Sequence, residues 1–253
     1  MARLLPLLIA LGCAEPPPPP PAPTTAGPLY TTHADLLRAI GGHRMLGHSR
    51  IRMSDGAELI EDWTLEADGR GNWRLEHINN HELGKEAVLV EGVLYTRHRY
   101  GTFLSHPPER GESDRLREEA WNVLAAYLDM LHPWLDVRRE GDRLVLRKAA
   151  RRRHDALPET DRPERAWRDT VLVQDLSGWV LLDGDLATDA ELHARYSFRR
   201  DKIQTSAELD YTRYLTRGSP TIAVPEAIPT PVRRRLEPER QKLLGEAGEG
   251  GGP

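Results

Sequence analysis

Aromatic side chains make up only 6% of the 253 residues, with two Phe, and Cys13 is the only cysteine. A core with so few rings must rest on Leu, Val and Ala around six Trp. One thiol excludes an intramolecular disulfide. No run approaches the roughly 18 apolar residues of a membrane-spanning helix. Neither charge sign is in large excess: Lys+Arg 35 stand against Asp+Glu 39, a net −4. That balance excludes a globally basic nucleic-acid binder and a strongly acidic disordered chain. Catalytic signatures are scarce as well. There is no G-x-S-x-G, no Gly-rich phosphate loop, and Ser, His and Asp are too scattered to nominate a triad. The length fits one or two domains and a sizeable core.

The N-terminal residues are more informative. Met1-Ala2-Arg3 opens the chain, an apolar run follows from Leu4 to Leu11, and Gly12-Cys13 comes next. A positive start, a short apolar core and small residues near a cut point are the parts of a secretory signal, here residues 1–12. Ala10-Leu11-Gly12-Cys13 resembles the lipobox of bacterial lipoproteins, which implies that Cys13 is diacylated and becomes the mature N-terminus. Residues 13–28 then carry Pro16 to Pro21 unbroken, with Pro23 and Pro28 beyond. Each proline fixes φ and lacks an N–H, so this stretch predicts a polyproline II rod, not a helix or sheet. At about 3.1 Å per residue it would hold a domain roughly 20–30 Å from a bilayer. Ala14 and Glu15 after the cysteine fit the outer-membrane sorting rule of enteric bacteria.

Residues 29–227 read as one folded domain. Thr32 to Ile40 predicts a short helix capped by Thr32 and ended by Gly41-Gly42. Strand patterns follow. Leu59, Trp63, Leu65 and Ala67 alternate with polar positions, Asp68 to Gly71 turns the chain, and Trp73 and Leu75 continue. Glu91-Gly92 and Glu140-Gly141-Asp142 each sit between β-rich runs as hairpin turns. Ser177-Gly178, between Val171–Val173 and Trp179–Leu182, predicts a further hairpin by the same signal. Ala190, Leu192, Ala194, Tyr196 and Phe198 form the cleanest alternation, answered by Ala207, Leu209 and Tyr211. One wet and one dry face mark an antiparallel sheet. Between the strands, Leu116, Ala120, Trp121, Val123, Leu124, Tyr127, Leu128 and Leu131 predict one long amphipathic helix over Asp114 to His132. Ser113 or Asp114 caps it and Pro133 stops it. The Pro- and Gly-rich residues 228–253 predict a mostly disordered tail.

These elements define an α+β fold: a curved antiparallel sheet, or half-barrel, with one long helix on its concave face. The order is similar to that of the LolA/LolB-like and LppX-type half-barrel lipoproteins. The likeness rests on Leu36-Leu37-Arg38-Ala39-Ile40-Gly41, on Leu89-Val90-Glu91-Gly92-Val93-Leu94-Tyr95, and on Thr221-Ile222-Ala223-Val224-Pro225. It implies a sheet cupping a helix around an apolar cavity that holds acyl chains. By the alternation, Trp63, Leu65, Trp73, Leu75, Leu192 and Tyr196 share a dry face with Leu124, Tyr127 and Leu128 of the helix, making these nine the candidate hydrophobic cavity.

Other chemical candidates are bland. His77 and His81 would lie about 13 Å apart along a strand, too far for one metal ion. They read as a strand end and turn. Asp183-Gly184-Asp185 lacks the remaining ligands of a calcium loop and reads as a turn. Arg147, Lys148 and Arg151 to Arg153 form a basic cluster suited to a solvated loop or to anionic headgroups. The expectation is a non-enzymatic, lipid-anchored envelope protein without cofactor or metal. It binds or carries a lipid, a lipoprotein or another hydrophobic ligand at the periplasmic membrane face. The alternative is an interaction lipoprotein whose sheet is filled by its own side chains.

Overall fold

The computed structural model describes residues 32–152, 170–200 and 203–230. The signal, Cys13, the Pro-rich tether and most of the predicted tail lie outside them. Helix α1 spans His33–Ile40, with the Thr32 hydroxyl accepting from the Asp35 N–H and Gly41 closing the end at φ 68. Twelve strands follow: β1 His43–Met53, β2 Glu58–Ala67, β3 Trp73–Asn79, β4 Gly84–Val90, β5 Val93–His98, β6 Phe103–His106, β7 Leu135–Glu140, β8 Arg143–Lys148, β9 Leu172–Asp183, β10 Leu186–Arg200, β11 Ile203–Arg217 and β12 Ala227–Pro229. They form one curved, unclosed sheet in the order β12-β6-β5-β4-β3-β2-β1-β11-β10-β9-β8-β7. Every pairing is antiparallel except β12 with β6, so the sheet is mixed and not purely antiparallel.

Two meanders, β1 to β6 and β7 to β11, are stitched together by the β1–β11 pair, whose register runs from His43↔Arg217 to Met53↔Ala207. The chain between β6 and β7 must therefore travel from one arm to the other. Ten strand spacings separate β6 from β7, about 48 Å along a flat sheet. The intervening helices α2 (Glu112–Trp121) and α3 (Val123–Leu131) measure only about 30 Å end to end. They run as a chord across the curved sheet, and that crossing lays them over its dry face.

The expected single long helix is corrected to these two. The break falls at Asn122, whose φ −81 and ψ 6 leave the helical basin, although its N–H still bonds to the Glu118 carbonyl. The expected cap also differs: α2 starts after Gly111 at φ 74 without a side-chain cap. Ser113 is engaged instead by the Trp73 indole, which donates to its hydroxyl at 3.1 Å.

The predicted hairpin at Ser177-Gly178 is overturned, because β9 runs unbroken through both residues. A Cβ on Gly178 would meet the Glu191 carbonyl oxygen at 2.4 Å. The glycine permits close approach of β10, and no turn is involved. His43–Met53 carries no clean alternation, yet it forms β1 at the junction of the two arms. Its inward positions are His43, Met45, Gly47, Ser49, Ile51 and Met53, of which only three are large and apolar.

The Glu91-Gly92 turn is a hairpin with both residues at positive φ, 51 and 79, the twist that matches paired strands. The turns at Gly141-Asp142 and Gly184-Asp185 are hairpins as well. The core gathers Leu36, Met45, Leu65, Trp73, Leu75, Leu124, Leu128, Leu131, Leu192 and Tyr211 between sheet and helices. No helix of the described residues is long and apolar enough to cross a membrane.

Candidate functional site

At one end of the concave face the dry register is occupied by polar groups. Trp63 on β2 faces Gly47 on β1 and His77 on β3. A Cβ on Gly47 would stand 3.3 Å from Trp63 Cε3, so the glycine lets the indole lie against β1. His77 stacks on that indole, with ring centres 5.3 Å apart and planes within 8°. Its Nε2–H donates to Glu61 Oε1 at 3.1 Å. Glu61 is paired across the sheet with Ser49, and the buried Ser49 hydroxyl accepts from the Tyr127 hydroxyl of α3 at 3.0 Å. The Tyr127 ring meets Tyr211 edge-on at 5.6 Å. Burial raises the pKa of the Tyr127 phenol, which therefore acts as a neutral donor. On β4, Lys85 stands opposite His77 and ion-pairs with Glu119 of α2 at 2.7 Å.

Between these strands and the helices lies an open cleft of about 410 Å³. Its apolar walls are Trp63, Leu75, Ala120, Val123, Ala126 and Tyr127. Glu61, His77, Lys85, Glu119 and Asn122 supply its polar groups. The helix break thus belongs to the cleft: Asn122 and the small Ala120 and Ala126 keep α2 and α3 from filling it. A volume near the lower end of small-molecule sites, with apolar walls and few polar groups, suits binding of one slender amphiphile.

The nine residues predicted to line a cavity do share one face, but they divide. Trp63, Leu75 and Tyr127 line the cleft. Leu65, Trp73, Leu124, Leu128, Leu192 and Tyr196 are buried in the closed part of the core. There burial pushes the Tyr196 phenol up to about 12. Cys13, the predicted lipidation site, lies outside the described residues.

No family model and no curated protein matches the chain. Among solved structures, it aligns with a LolA superfamily protein from Nitrosomonas europaea at 11% identity, covering 73% of this chain and 94% of that one with a TM-score of 0.23. A likeness that slight carries no conclusion about what this chain does.

Glu61 and Lys85 were not singled out by pattern reasoning, although a signal exists. Glu61 sits in the dry register between Leu59 and Trp63, and Lys85 two residues before the buried Ala87. His77 continues the series Trp73, Leu75. A charged residue in an otherwise apolar register marks where a face stops being core. His77 is the last but two of β3 and His81 lies in the following turn, as expected from their spacing. Among the described residues no group of three His, Cys, Asp or Glu is placed to hold a metal ion. Of the basic run, Arg147 and Lys148 end β8, while Arg153 falls outside the described residues.

Proposed function

We propose that this chain is an exported lipoprotein, acylated at Cys13 and held at the periplasmic face of the outer membrane, whose folded domain binds a hydrophobic ligand without catalysis. The cleft of about 410 Å³ between β2–β4 and the broken helix pair carries the binding part of this reading. Its walls leave apolar surface of Val123, Ala126 and Tyr127, with a narrow strip of Trp63, open to a guest that can remove it from water, while Leu75 closes the floor. The anchor rests on the Ala10-Leu11-Gly12-Cys13 motif and the proline tether behind it. The competing reading, an interaction lipoprotein with a filled sheet, draws on the close packing of Leu65, Trp73, Leu124, Leu128, Leu192 and Tyr196.

Binding of a fluorescent fatty-chain probe to the full chain, produced without acylation, separates the two. The ligand reading expects saturable micromolar binding, roughly −8 kcal/mol. Ala126→Trp, which fills the cleft from α3, should weaken that binding at least tenfold with the thermal midpoint little changed. Absence of saturable binding by the wild-type protein would leave the interaction reading in place.

A further inference from the structure

We propose that the cleft selects single-chain amphiphiles with a cationic ammonium head, received by Glu61, over those with an anionic head; this rests on the ligand-binding reading above. The carboxylates and ammonium of the lining do not balance. Glu119 is matched by Lys85 at 2.7 Å. Among the described residues Glu61 has no Lys or Arg ion-pair partner and receives one hydrogen bond, from the His77 imidazole at 3.1 Å. A carboxylate offers about four lone-pair sites, so most of its acceptor capacity is left over. Its side chain is only 18% exposed, and partial burial strengthens its field.

The position of Glu61 adds direction. It occupies a concave-face register position on β2, next to Trp63 and across from Ser49, and it lines the cleft together with Trp63 and Tyr127. A guest chain lying on Val123, Ala126 and Tyr127 against the edge of Trp63 would therefore bring its polar end to this carboxylate. An ammonium presents three N–H donors and no acceptor, which is what an under-supplied carboxylate can use. A carboxylate or phosphate head would meet Glu61 as a like charge, with Lys85 already taken by Glu119. The volume holds one chain and not several.

Calorimetric titration of the full chain, produced without acylation, with dodecylammonium, dodecanol and dodecanoate below their aggregation limits tests this directly. The ammonium should bind at least about tenfold more tightly than the carboxylate, with the alcohol between them. Glu61→Gln should lower affinity for dodecylammonium about tenfold and leave dodecanol within about twofold. Glu119→Gln, on the exposed side of α2, is a second variant that does not disturb the sheet. By releasing Lys85 it should narrow the gap between the ammonium and the carboxylate. Equal affinities, or a preference for dodecanoate, would overturn the head-group inference and leave a hydrophobic cleft without charge selection. If none of the three ligands binds saturably, the ligand reading itself falls and the inference with it.

Discussion

His33 of α1 and His43 of β1 meet in the interior with their Nε2 atoms 3.0 Å apart, and both are almost completely buried. His43 Nδ1–H donates to the Gly41 carbonyl, so a neutral His43 must accept at Nε2 from the Nε2–H of His33. His33 Nδ1 is then a bare lone pair, buried and without a hydrogen-bond partner among the described residues. Trp121 packs at 5.9 Å and Arg117 adds a positive field. Glu118 faces the same end of α1, accepting from the His33 and Ala34 N–H groups.

Burial, then the neighbouring His43 and Arg117, lowers the His33 pKa from 6.5 to about 3, and burial lowers that of His43. The folded protein thus keeps both rings neutral where the unfolded chain takes up protons. Their contribution to stability is present above pH 6.5 and drains away as pH falls toward 3. Denaturant titrations at pH 7 and pH 4 should differ by roughly 3 kcal/mol from His33 alone. His33→Phe should flatten that dependence. The exposed His193 works in the opposite sense, its pKa raised by hydrogen bonds to Glu191 and Asp210. Its contribution is present below its unfolded pKa and fades as pH rises through the raised folded value.

Removing the Tyr127 hydroxyl tests the bond that ties α3 to β1. Tyr127→Phe leaves the buried Ser49 hydroxyl without its donor, 78 residues away in sequence. A loss of about 1 kcal/mol in denaturant unfolding is expected, with the apolar wall of the cleft kept.

Gly178→Ala should be more damaging than Gly47→Ala. The first places a Cβ 2.4 Å from the backbone oxygen of Glu191, where only a shift of β10 can relieve it. The second places one 3.3 Å from the edge of the Trp63 ring, which can give by a few tenths of an ångström. Thermal unfolding should show roughly 2–3 kcal/mol for Gly178→Ala and about 1 kcal/mol or less for Gly47→Ala.

Arg213 is buried among Trp121, at 4.2 Å, and the carbonyls of Ala187 and Thr188, to which its guanidinium donates. Those carbonyls lie where β10 shifts register against β9, so strand pairing does not satisfy them in the ordinary way. Arg213→Met should cost about 2–4 kcal/mol, read as a lower denaturant midpoint. Arg213→Lys should recover only part of it, because an ammonium cannot reproduce the fork.

The anchor has its own test. Stable attachment needs more than one acyl chain, since each buried CH₂ adds only about 0.8 kcal/mol. Wild-type protein should partition into detergent, and Cys13→Ala should leave the detergent phase or retain its signal. Unchanged partitioning of the variant would rule out the lipoprotein reading.

Features governed by neighbours a few residues apart were legible in the chain. Thr32 and Gly41 bound α1 because capping and positive φ act within one turn. Glu91-Gly92 makes its hairpin for the same reason, and the alternation at Ala190 to Phe198 and Ala207 to Tyr211 shows the dry face of β10 and β11 because the pleat has period two. What long-range contact decides was not legible. Gly178 has the local look of a turn, yet β10 approaches so closely there that only a glycine strand position fits. His43–Met53 reads as no element, yet both neighbouring strands pair with it along nearly its whole length. The periodicity of residues 114–132 runs smoothly through Asn122, and the helix breaks there all the same. The same apolar pattern covers Leu65, which is sealed in the core, and Trp63, which lines the cleft. That division depends on how far a broken helix pair, fixed by partners such as Ser49 and Trp73 far away in sequence, reaches across a curved sheet.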